Sequence, residues 1–213
     1  MLTLHDYWRS GAAYRVRIAL NLKGLQYRQV SHDLRLGEQA APDYAELNPQ
    51  KLIPALDTGN GVITQSLAII EWLDQQYPQS PLLPADPLQR AQVRAMAAAL
   101  VTDTHPLHNL RVLNQLRQQL GADDAQVKQW IGHWIGEGFS ALEVLIGRHG
   151  GRHAFGDQPT LVDCCLVPQV FSAERFGVAL EAYPRLLAAV EAARALSAVQ
   201  AAHPQRQPDA DPA

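Results

Sequence analysis

The chain has 213 residues, of which 47% are hydrophobic and 18% are charged, and its formal net charge at pH 7 is −3. This composition is typical of a globular protein with one large domain or two small ones, and the lack of a basic excess argues against a nucleic-acid-binding surface. No apolar run approaches the roughly 20 residues that span a bilayer. The sequence shows no basic segment followed by an apolar stretch, so we expect no secretory signal.

The chain contains two cysteines, Cys164 and Cys165, which are adjacent. Adjacent cysteines rarely form an unstrained disulfide, so we expect reduced thiols in the core of a cytoplasmic protein. The sequence has no Cys-x-x-Cys pair and no spaced Cys/His set, so we expect neither a dithiol redox centre nor a metal site.

The first two predicted elements are a strand and a helix. Residues 2–7 alternate in polarity like a strand, and the following pattern is helical and stops at Gly24. Ser10 and Gly11 therefore lie where the strand turns into the helix. The N–H groups and the partial positive charge of a first helical turn favour an anion such as a thiolate. The simpler interpretation is that Ser10 is only the N-cap of this helix.

The rest of the first half alternates strands and helices. We predict a second strand at 26–31, a loop and short helix within 33–46, a hairpin of 53–57 and 62–64, and a helix that Ser66 opens and that ends near Tyr77. The order β-α-β-α-β-β-α predicts a mixed four-stranded sheet with helices on both faces.

The second half is predicted to be helical. Four prolines lie between positions 78 and 87. Because such a run can continue neither a helix nor a central strand, we predict a linker there. Beyond it we predict a helix at 88–120 with a kink at Pro106, a second at 124–148, a third that residues 160–163 open with a capping-box pattern, and a last at 183–203. The expected domains are 1–80, a linker at 81–87, an all-helical domain at 88–203 and a flexible tail at 204–213.

Two positions in the first half could bind a ligand through backbone groups. A cis bond between Ile53 and Pro54 would turn the Ile53 N–H and C=O outward, but only about 5–6% of X-Pro bonds are cis, so the default is a trans proline at a strand start. Ser66 could hold a carboxylate with its hydroxyl, its N–H and the helix terminus. Its default interpretation is a plain N-cap.

In the long predicted helix, His105 and Asn109 are four residues apart and would share a face, although the default interpretation is an ordinary solvated helix surface. Arg9, Arg111 and Arg175 are far apart in the sequence, and each alone is an ordinary surface arginine. In one cleft they would suit a substrate with several carboxylates, because guanidinium binds carboxylate in a bidentate fork.

Several motifs together resemble one family. These are Arg9 and Ser10 followed by residues 14–20, Asn48-Pro49, residues 53–56 and 65–71, then residues 105–113, 155–157, 160–163 and 167–170. They are similar to the zeta class of glutathione transferases, which includes maleylacetoacetate and maleylpyruvate isomerases, and the match covers essentially the whole chain.

The resemblance implies a thioredoxin-like N-terminal domain, an all-α C-terminal domain, a homodimer and glutathione as the cofactor. It places the turn over the glutathione thiol, Gln39 on the tripeptide, and Ile53, before a cis Pro54, on the cysteinyl backbone. Gln65 and Ser66 would hold the γ-glutamyl carboxylate. The implied glutathione-binding residues are Ser10, Gly11, Ala12, Ala13, Tyr14, Arg15, Gln39, Ile53, Pro54, Gln65, Ser66, His105, Asn109, Leu110 and Arg111.

The implied reaction is glutathione-dependent cis–trans isomerisation of maleylacetoacetate, with Ser10, Arg9, Arg111 and Arg175 as the catalytic residues. Ser10 would stabilise the thiolate and the arginines would bind carboxylates. The alternatives are maleylpyruvate of the gentisate route, a general transferase acting on α-haloacids, and a non-enzymatic binding module with the same fold.

The chain departs from the family pattern at a few positions. The turn has Ser10, Gly11 and Ala12 where the family often has Ser-Ser-Cys or Ser-Ser-Ala, so Ser10 is the only hydroxyl left in that segment. His108 and Glu174 replace residues that are more often Asn and Arg, which makes the expected substrate rim less basic.

Overall fold

The computed structural model describes residues 1–211 and divides into two compact units. The sheet unit contains Met1–Leu82 and the C-terminal residues from Arg194 onward, and the helical unit contains Leu83–Ala193. The predicted linker at 81–87 spans the division between Leu82 and Leu83. No helix within residues 1–211 combines the length and apolar character needed to cross a membrane.

The sheet unit begins with alternating strands and helices. Its elements are β1 (Leu2–Asp6), α1 (Gly11–Leu22), β2 (Tyr27–Ser31), a 3-10 turn (Glu38–Ala40), α2 (Pro42–Leu47), β3 (Ala55–Asp57), β4 (Val62–Thr64) and α3 (Ser66–Gln76). The four strands have the order β2-β1-β3-β4, with β1 parallel to β2 and the other pairs antiparallel. The predicted fold class, element order and mixed sheet are confirmed. A parallel pair needs a crossover connection, which α1 supplies between β1 and β2.

The sheet unit contains a fully buried ion pair. Arg17 of α1 is 0% exposed and its Nη1 donates to both carboxylate oxygens of Asp6, at 2.7 and 2.9 Å. Its Nη2 donates to the Trp8 carbonyl at 2.9 Å and its Nε to the Ala202 carbonyl at 3.1 Å. The guanidinium therefore joins the end of β1, the turn that follows it and the C-terminal segment.

The C-terminal segment differs from its predicted role. The expected helix at 183–203 is two helices, α8 (Pro184–Arg194) and α9 (Ser197–Ala201), followed by a 3-10 turn (Pro204–Arg206). From Arg194 onward this segment belongs to the sheet unit.

Residues 204–211 of the predicted flexible tail make polar contacts with strand β2. Gln29 donates to Gln207 at 2.9 Å, and the Ser31 hydroxyl donates to Asp209 Oδ2. These bonds join residues about 180 positions apart, so local periodicity could not predict them. Positions 212–213 of the predicted tail lie outside the described residues.

The predicted helix at 88–120 is divided into separate elements. The helical unit contains α4 (Pro87–Ala98), a π-helical turn (Ala99–Thr104), a 3-10 turn (His105–His108), α5 (Leu110–Leu120), α6 (Asp124–His149) and α7 (Leu161–Phe176). Pro106 lies in the 3-10 turn, and the Asn109 side chain caps α5 by accepting from the Val112 N–H at 3.1 Å. The break lies at Asn109, whose backbone is extended (φ −73°, ψ 160°). His105 and Asn109 therefore do not share a helical face, and the predicted helix is interrupted after the 3-10 turn rather than only kinked at Pro106.

The start of α7 has the predicted capping box. The Thr160 N–H donates to Asp163 Oδ2 at 2.7 Å, and the Val162 N–H donates to Thr160 Oγ1 at 3.2 Å. Cys164 and Cys165 follow in the same helix, both buried and not disulfide-bonded.

We predict that Arg17→Met destabilises the protein by about 3–5 kcal/mol, because removing one partner leaves the buried Asp6 charge uncompensated. Unfolding in urea, monitored by circular dichroism, measures this change. Arg35→Met is the matched control, since Arg35 pairs with Asp33 and Asp211 at the surface and exposed ion pairs contribute little to stability. Equal losses in the two variants would contradict the role given to burial.

Candidate active site

Ser10 lies in the turn that joins β1 to α1, and it is the N-cap of α1. Its Oγ accepts from the Ala13 N–H at 3.2 Å, and its own N–H donates to the Tyr7 carbonyl at 2.9 Å. A serine hydroxyl has one donor and two acceptor positions. The capping bond uses an acceptor position, so the O–H can still donate to a ligand. The N-cap interpretation and the ligand interpretation of Ser10 are therefore compatible.

Gln65 and Ser66 form the start of α3. Gln65, and not Ser66, is the N-cap residue, and its side chain makes no capping bond. Gln65 has φ 70° and ψ 117°, a region that non-glycine residues rarely adopt. Such a conformation costs about 1–3 kcal/mol and is concentrated at functional sites. The Gln65 side chain donates to Gln50 Oε1 at 2.7 Å.

A buried hydrogen bond joins the starts of α1 and α3. Arg15 Nη1 donates to Ser66 Oγ at 3.2 Å, and both side chains are buried. Arg15 is one turn beyond Ser10, so this bond holds the N-terminal ends of two helices next to each other. Each N-terminus has a partial positive charge and unsatisfied N–H groups. Together with the guanidinium they form a positive environment that suits an anionic ligand.

Ile53 and Pro54 precede β3, and the bond between them is cis, as the resemblance implies. Registered pairing of β3 with β1 begins at Ala55, opposite His5, so Ile53 stands just before the ladder. Its buried side chain packs in one apolar cluster with Ala13, Tyr44 and Ala55. This cluster places the Ile53 backbone beside the first turn of α1.

The residue before Ile53 is held by side chains from α2 and the turn after it. Tyr44 Oη and Asn48 Nδ2 both donate to the Leu52 carbonyl, each at 2.6 Å. Burial raises the pKa of Tyr44 to about 12, so the phenol remains a neutral donor at pH 7.

Gln39 lies in the 3-10 turn between β2 and α2, and its side-chain Oε1 is buried without a hydrogen-bond partner among the described residues. Buried polar atoms are nearly always paired. An amide oxygen in this condition is an acceptor that a ligand donor can satisfy, which agrees with the predicted contact between Gln39 and the tripeptide.

Two histidines lie in contact with Tyr44. His5 Nδ1 and His32 Nε2 are 2.9 Å apart, and the His32 ring centroid is 4.4 Å from that of Tyr44. Burial lowers the pKa of both histidines from 6.5, so both are neutral at pH 7. Their rings pack and hydrogen-bond with each other, and they add no cation to the site.

The remaining predicted residues belong to the helical unit. His105 lies in the 3-10 turn with its ring 5.3 Å from that of His108, Asn109 caps α5, and Leu110 and Arg111 are exposed in its first turn. Arg175 is exposed in the last turn of α7.

Within this unit the structure brings Arg175 towards the start of α5. Its guanidinium lies 4.5 Å from the Phe176 ring centroid, and Phe176 packs edge-on against His108 at 6.1 Å. Arg9 belongs to the sheet unit, where its guanidinium lies 5.5 Å from the Trp8 ring centroid. A single cleft shared by Arg9, Arg111 and Arg175 stays a prediction.

Some partners of the site were not predicted. Gln50 holds the Gln65 side chain, and Gln169 lies 2.8 Å from His108 through their side-chain nitrogens. Gln50 directly follows the Asn48-Pro49 motif and Gln169 lies in the 167–170 motif, so proximity to a motif was the only available signal.

Comparison with known proteins places the chain in a family. A model of the glutathione S-transferase N-terminal domain matches residues 4–81, and a model of the glutathione S-transferase C-terminal domain matches residues 110–192. The chain belongs to the glutathione S-transferase family. Within it, the chain belongs to the zeta class, to which its full-length relatives point: it is 42% identical to a zeta-class glutathione S-transferase of Euphorbia esula over 98% of this chain and 92% of that protein.

Two isomerases are among the relatives of the chain. A maleylacetoacetate isomerase of Pseudomonas aeruginosa is 52% identical over 98% of both chains. A maleylpyruvate isomerase of a Ralstonia species is 50% identical over 98% of this chain and 99% of that protein.

Solved transferase structures share the fold. The holo structure of a maleylpyruvate isomerase, described as a bacterial zeta-class transferase, has a TM-score of 0.96 at 49% identity over 98% of this chain and 100% of that one. A maleylacetoacetate isomerase of Methylobacterium extorquens with bound malonate and glutathione has a TM-score of 0.95 at 39% identity over 99% of this chain and 100% of that one.

The strained backbone of Gln65 gives a prediction that separates stability from binding. Gln65→Gly should be more stable than Gln65→Ala by about 1 kcal/mol, because glycine adopts a positive φ without steric cost. Both variants lose the bond to Gln50 and should bind glutathione more weakly than the parent. Urea unfolding and titration calorimetry with glutathione measure the two effects, and equal stability of the two variants would contradict the strain at this position.

Proposed function

We propose that this protein is a glutathione-dependent cis–trans isomerase that converts maleylacetoacetate to fumarylacetoacetate in the homogentisate route of tyrosine and phenylalanine breakdown. The observation that carries the proposal is the full-length match, at 52% identity, to a maleylacetoacetate isomerase. Fold alone does not determine a reaction, so the proposal also needs a suitable site. The binding groups described above supply that support.

The residues of the sheet unit fit glutathione. The N-terminus of α3, Ser66 and the nearby Arg15 suit the γ-glutamyl carboxylate, because N–H groups, a hydroxyl and a guanidinium all favour an anion. The Ile53 backbone, which precedes the β3 ladder, suits the extended cysteinyl residue. The unsatisfied Gln39 oxygen accepts a donor of the tripeptide.

When bound, glutathione supplies a thiolate that adds reversibly to the conjugated cis double bond of the substrate, which permits rotation about that bond. Ser10 donates its hydroxyl hydrogen towards the sulfur, and the first turn of α1 favours the negative charge. Together they lower the pKa of the thiol below its ordinary value of about 8.5. Arg9, Arg111 and Arg175 bind the substrate carboxylates and stabilise charge that develops on its carbonyl oxygen.

Maleylpyruvate is the second candidate substrate. The 50% identity to a maleylpyruvate isomerase and the TM-score of 0.96 to the holo structure of one favour it. The two substrates differ in their acyl end, and both have the conjugated cis alkene and the carboxylates that this site suits. A general transferase acting on α-haloacids would use the same thiolate without returning glutathione.

A homodimer and a cytoplasmic location are also part of the proposal. The dimer follows from the family resemblance, and sedimentation equilibrium tests it. The buried cysteine pair and the requirement for reduced glutathione agree with a compartment in which thiols stay reduced.

The proposed activity is tested by following the ultraviolet absorbance of maleylacetoacetate and of maleylpyruvate, each with and without catalytic glutathione. We expect rapid glutathione-dependent turnover of maleylacetoacetate with glutathione recovered intact. Faster turnover of maleylpyruvate would select the second substrate. No turnover of either compound, with conjugates accumulating on an α-haloacid, would replace the isomerase proposal by a transferase.

We predict that Ser10→Ala lowers kcat of the isomerisation by about 10²-fold, the effect of removing one donor to a developing charge. Steady-state kinetics at saturating glutathione measure it. Asp86→Ala is the matched control, because Asp86 is an exposed N-cap of α4 that accepts from the Gln89 N–H at 2.8 Å. It should lose a similar capping energy of about 1 kcal/mol and keep full activity. An unchanged rate in Ser10→Ala would remove Ser10 from the mechanism.

A further inference from the structure

We propose that Asp209, in the C-terminal segment, is a positioning residue. It fixes the backbone of the turn that carries Ser10 and thereby positions the Ser10 hydroxyl for the glutathione thiol. Its Oδ2 accepts from the Trp8 N–H at 2.9 Å, two residues before Ser10. The inference rests on the proposed function, since it concerns the same glutathione site.

Four hydrogen bonds anchor the N–H groups of Tyr7, Trp8 and Ser10 and the Trp8 carbonyl, in addition to the helical bond from the Tyr14 N–H to the Ser10 carbonyl. Asp6 Oδ1 accepts from the Tyr7 N–H at 2.7 Å, the Ser10 N–H donates to the Tyr7 carbonyl at 2.9 Å, and Arg17 donates to the Trp8 carbonyl at 2.9 Å. These three anchors come from β1, α1 and the turn itself. The fourth anchor, Asp209, comes from 201 positions further along the chain.

Asp209 is held in place by the network around it. Ser31, the last residue of β2, donates its hydroxyl to the same Oδ2 that accepts from Trp8. Gln207 is buried, accepts from Gln29 at 2.9 Å, and donates to the Ala201 and His203 carbonyls at 3.0 and 2.9 Å. The carboxylate therefore bridges the carboxyl ends of the adjacent parallel strands β1 and β2.

The charge of Asp209 opposes the chemistry of the site, which points to a geometric role. A carboxylate near the turn disfavours a second anion and would raise the pKa of the bound thiol. A hydrogen bond to a carboxylate is about twice as strong as one to a neutral acceptor, so it restrains the Trp8 amide firmly. Misplacement of a reacting group by about 1 Å can cost up to about 10²-fold in rate, so we expect loss of this restraint to have a larger effect than relief of the repulsion.

Asp211 supplies a matched control two residues away. It accepts from Arg35 at 2.8 and 3.0 Å, but both side chains are nearly half exposed. Arg35 also keeps its bonds to Asp33. Asp211→Ala removes the same charge from the same segment without touching the turn.

The experiment compares Asp209→Ala, Asp209→Asn and Asp211→Ala in the full chain. Calorimetry gives the Kd for glutathione, the pH dependence of thiolate absorbance gives the pKa of the bound thiol, and hydrogen exchange in the ligand-free protein reports the Trp8 amide. We expect Asp209→Ala to raise Kd by about tenfold, to raise the thiol pKa and to speed exchange at Trp8. Asp209→Asn keeps an acceptor oxygen, so its Kd and Trp8 exchange rate should lie within about twofold of the parent values and its thiol pKa close to the parent value. Asp211→Ala should match the parent protein in all three measurements.

Two results would overturn the inference. A lowered thiol pKa in both Asp209→Ala and Asp209→Asn would show that the charge matters and the geometry does not. An unchanged Kd and thiol pKa in Asp209→Ala, with only a lower unfolding midpoint, would show a purely structural role.

Asp209→Glu supplies the comparison if Asp209→Ala does not fold. It keeps the charge and moves the carboxylate by one methylene, so positioning predicts a raised thiol pKa in Asp209→Glu and a normal one in Asp209→Asn. The reverse pattern, a normal pKa in Asp209→Glu and a lowered one in Asp209→Asn, would overturn the inference. Failure of the parent protein to bind glutathione would contradict the proposed function instead.

Discussion

The site depends on the burial of the Arg17 guanidinium. A charge with no exposure to solvent must be paired and hydrogen-bonded, or its desolvation would cost several kcal/mol. Arg17 meets this requirement with acceptors from Asp6, Trp8 and Ala202. Its donors have a fixed planar geometry, so the end of β1, the turn and the C-terminal segment keep fixed positions relative to one another.

Two buried arginines fix α1 on different sides. Residues two apart on a helix do not face each other, so Arg15 and Arg17 point in different directions from α1. Arg15 donates to Ser66 at the start of α3, and Arg17 donates to the end of β1 and to the C-terminal segment. Helix α1 is thereby held to the start of α3, where we propose that the glutathione carboxylate binds, and to the strand that leads into Ser10.

Local sequence signals predicted most elements of the fold. Long-range polar contacts account for the position of the C-terminal segment, where the structure differs from the prediction. The strand and helix order and the capping box at Thr160 depend on neighbouring residues, so the sequence pattern was sufficient. The break at Asn109 was missed because the helical pattern continues on both sides of it. The attachment of the C-terminal segment depends on bonds such as Gln29 to Gln207, which no periodicity records.

The same distinction applies to the site. Ser10, Ile53 and Ser66 stand in recognisable motifs, so their positions could be predicted. The positive φ of Gln65 could not, because a strained backbone arises from the contacts around it, and the nearby Gln50 takes part in those contacts. Asp209 could not be predicted either, since its partner in the turn is a backbone N–H, which every residue type except proline supplies.

Gly11 and Ala12 stand where the family often has Ser followed by Cys or Ala, and this difference changes which groups can contact the glutathione sulfur. Of the first N–H groups of α1, that of Ala13 donates to Ser10 Oγ and that of Tyr14 to the Ser10 carbonyl. Among residues 1–211, no backbone partner accepts from the Gly11 or Ala12 N–H, as expected for the first N–H groups of a helix, so both can donate to a ligand. Both residues are partly exposed, and their side chains add no polar group that competes for the sulfur. In the proposed mechanism, stabilisation of the thiolate therefore comes from backbone N–H groups and one hydroxyl, so it depends on how firmly the turn is held.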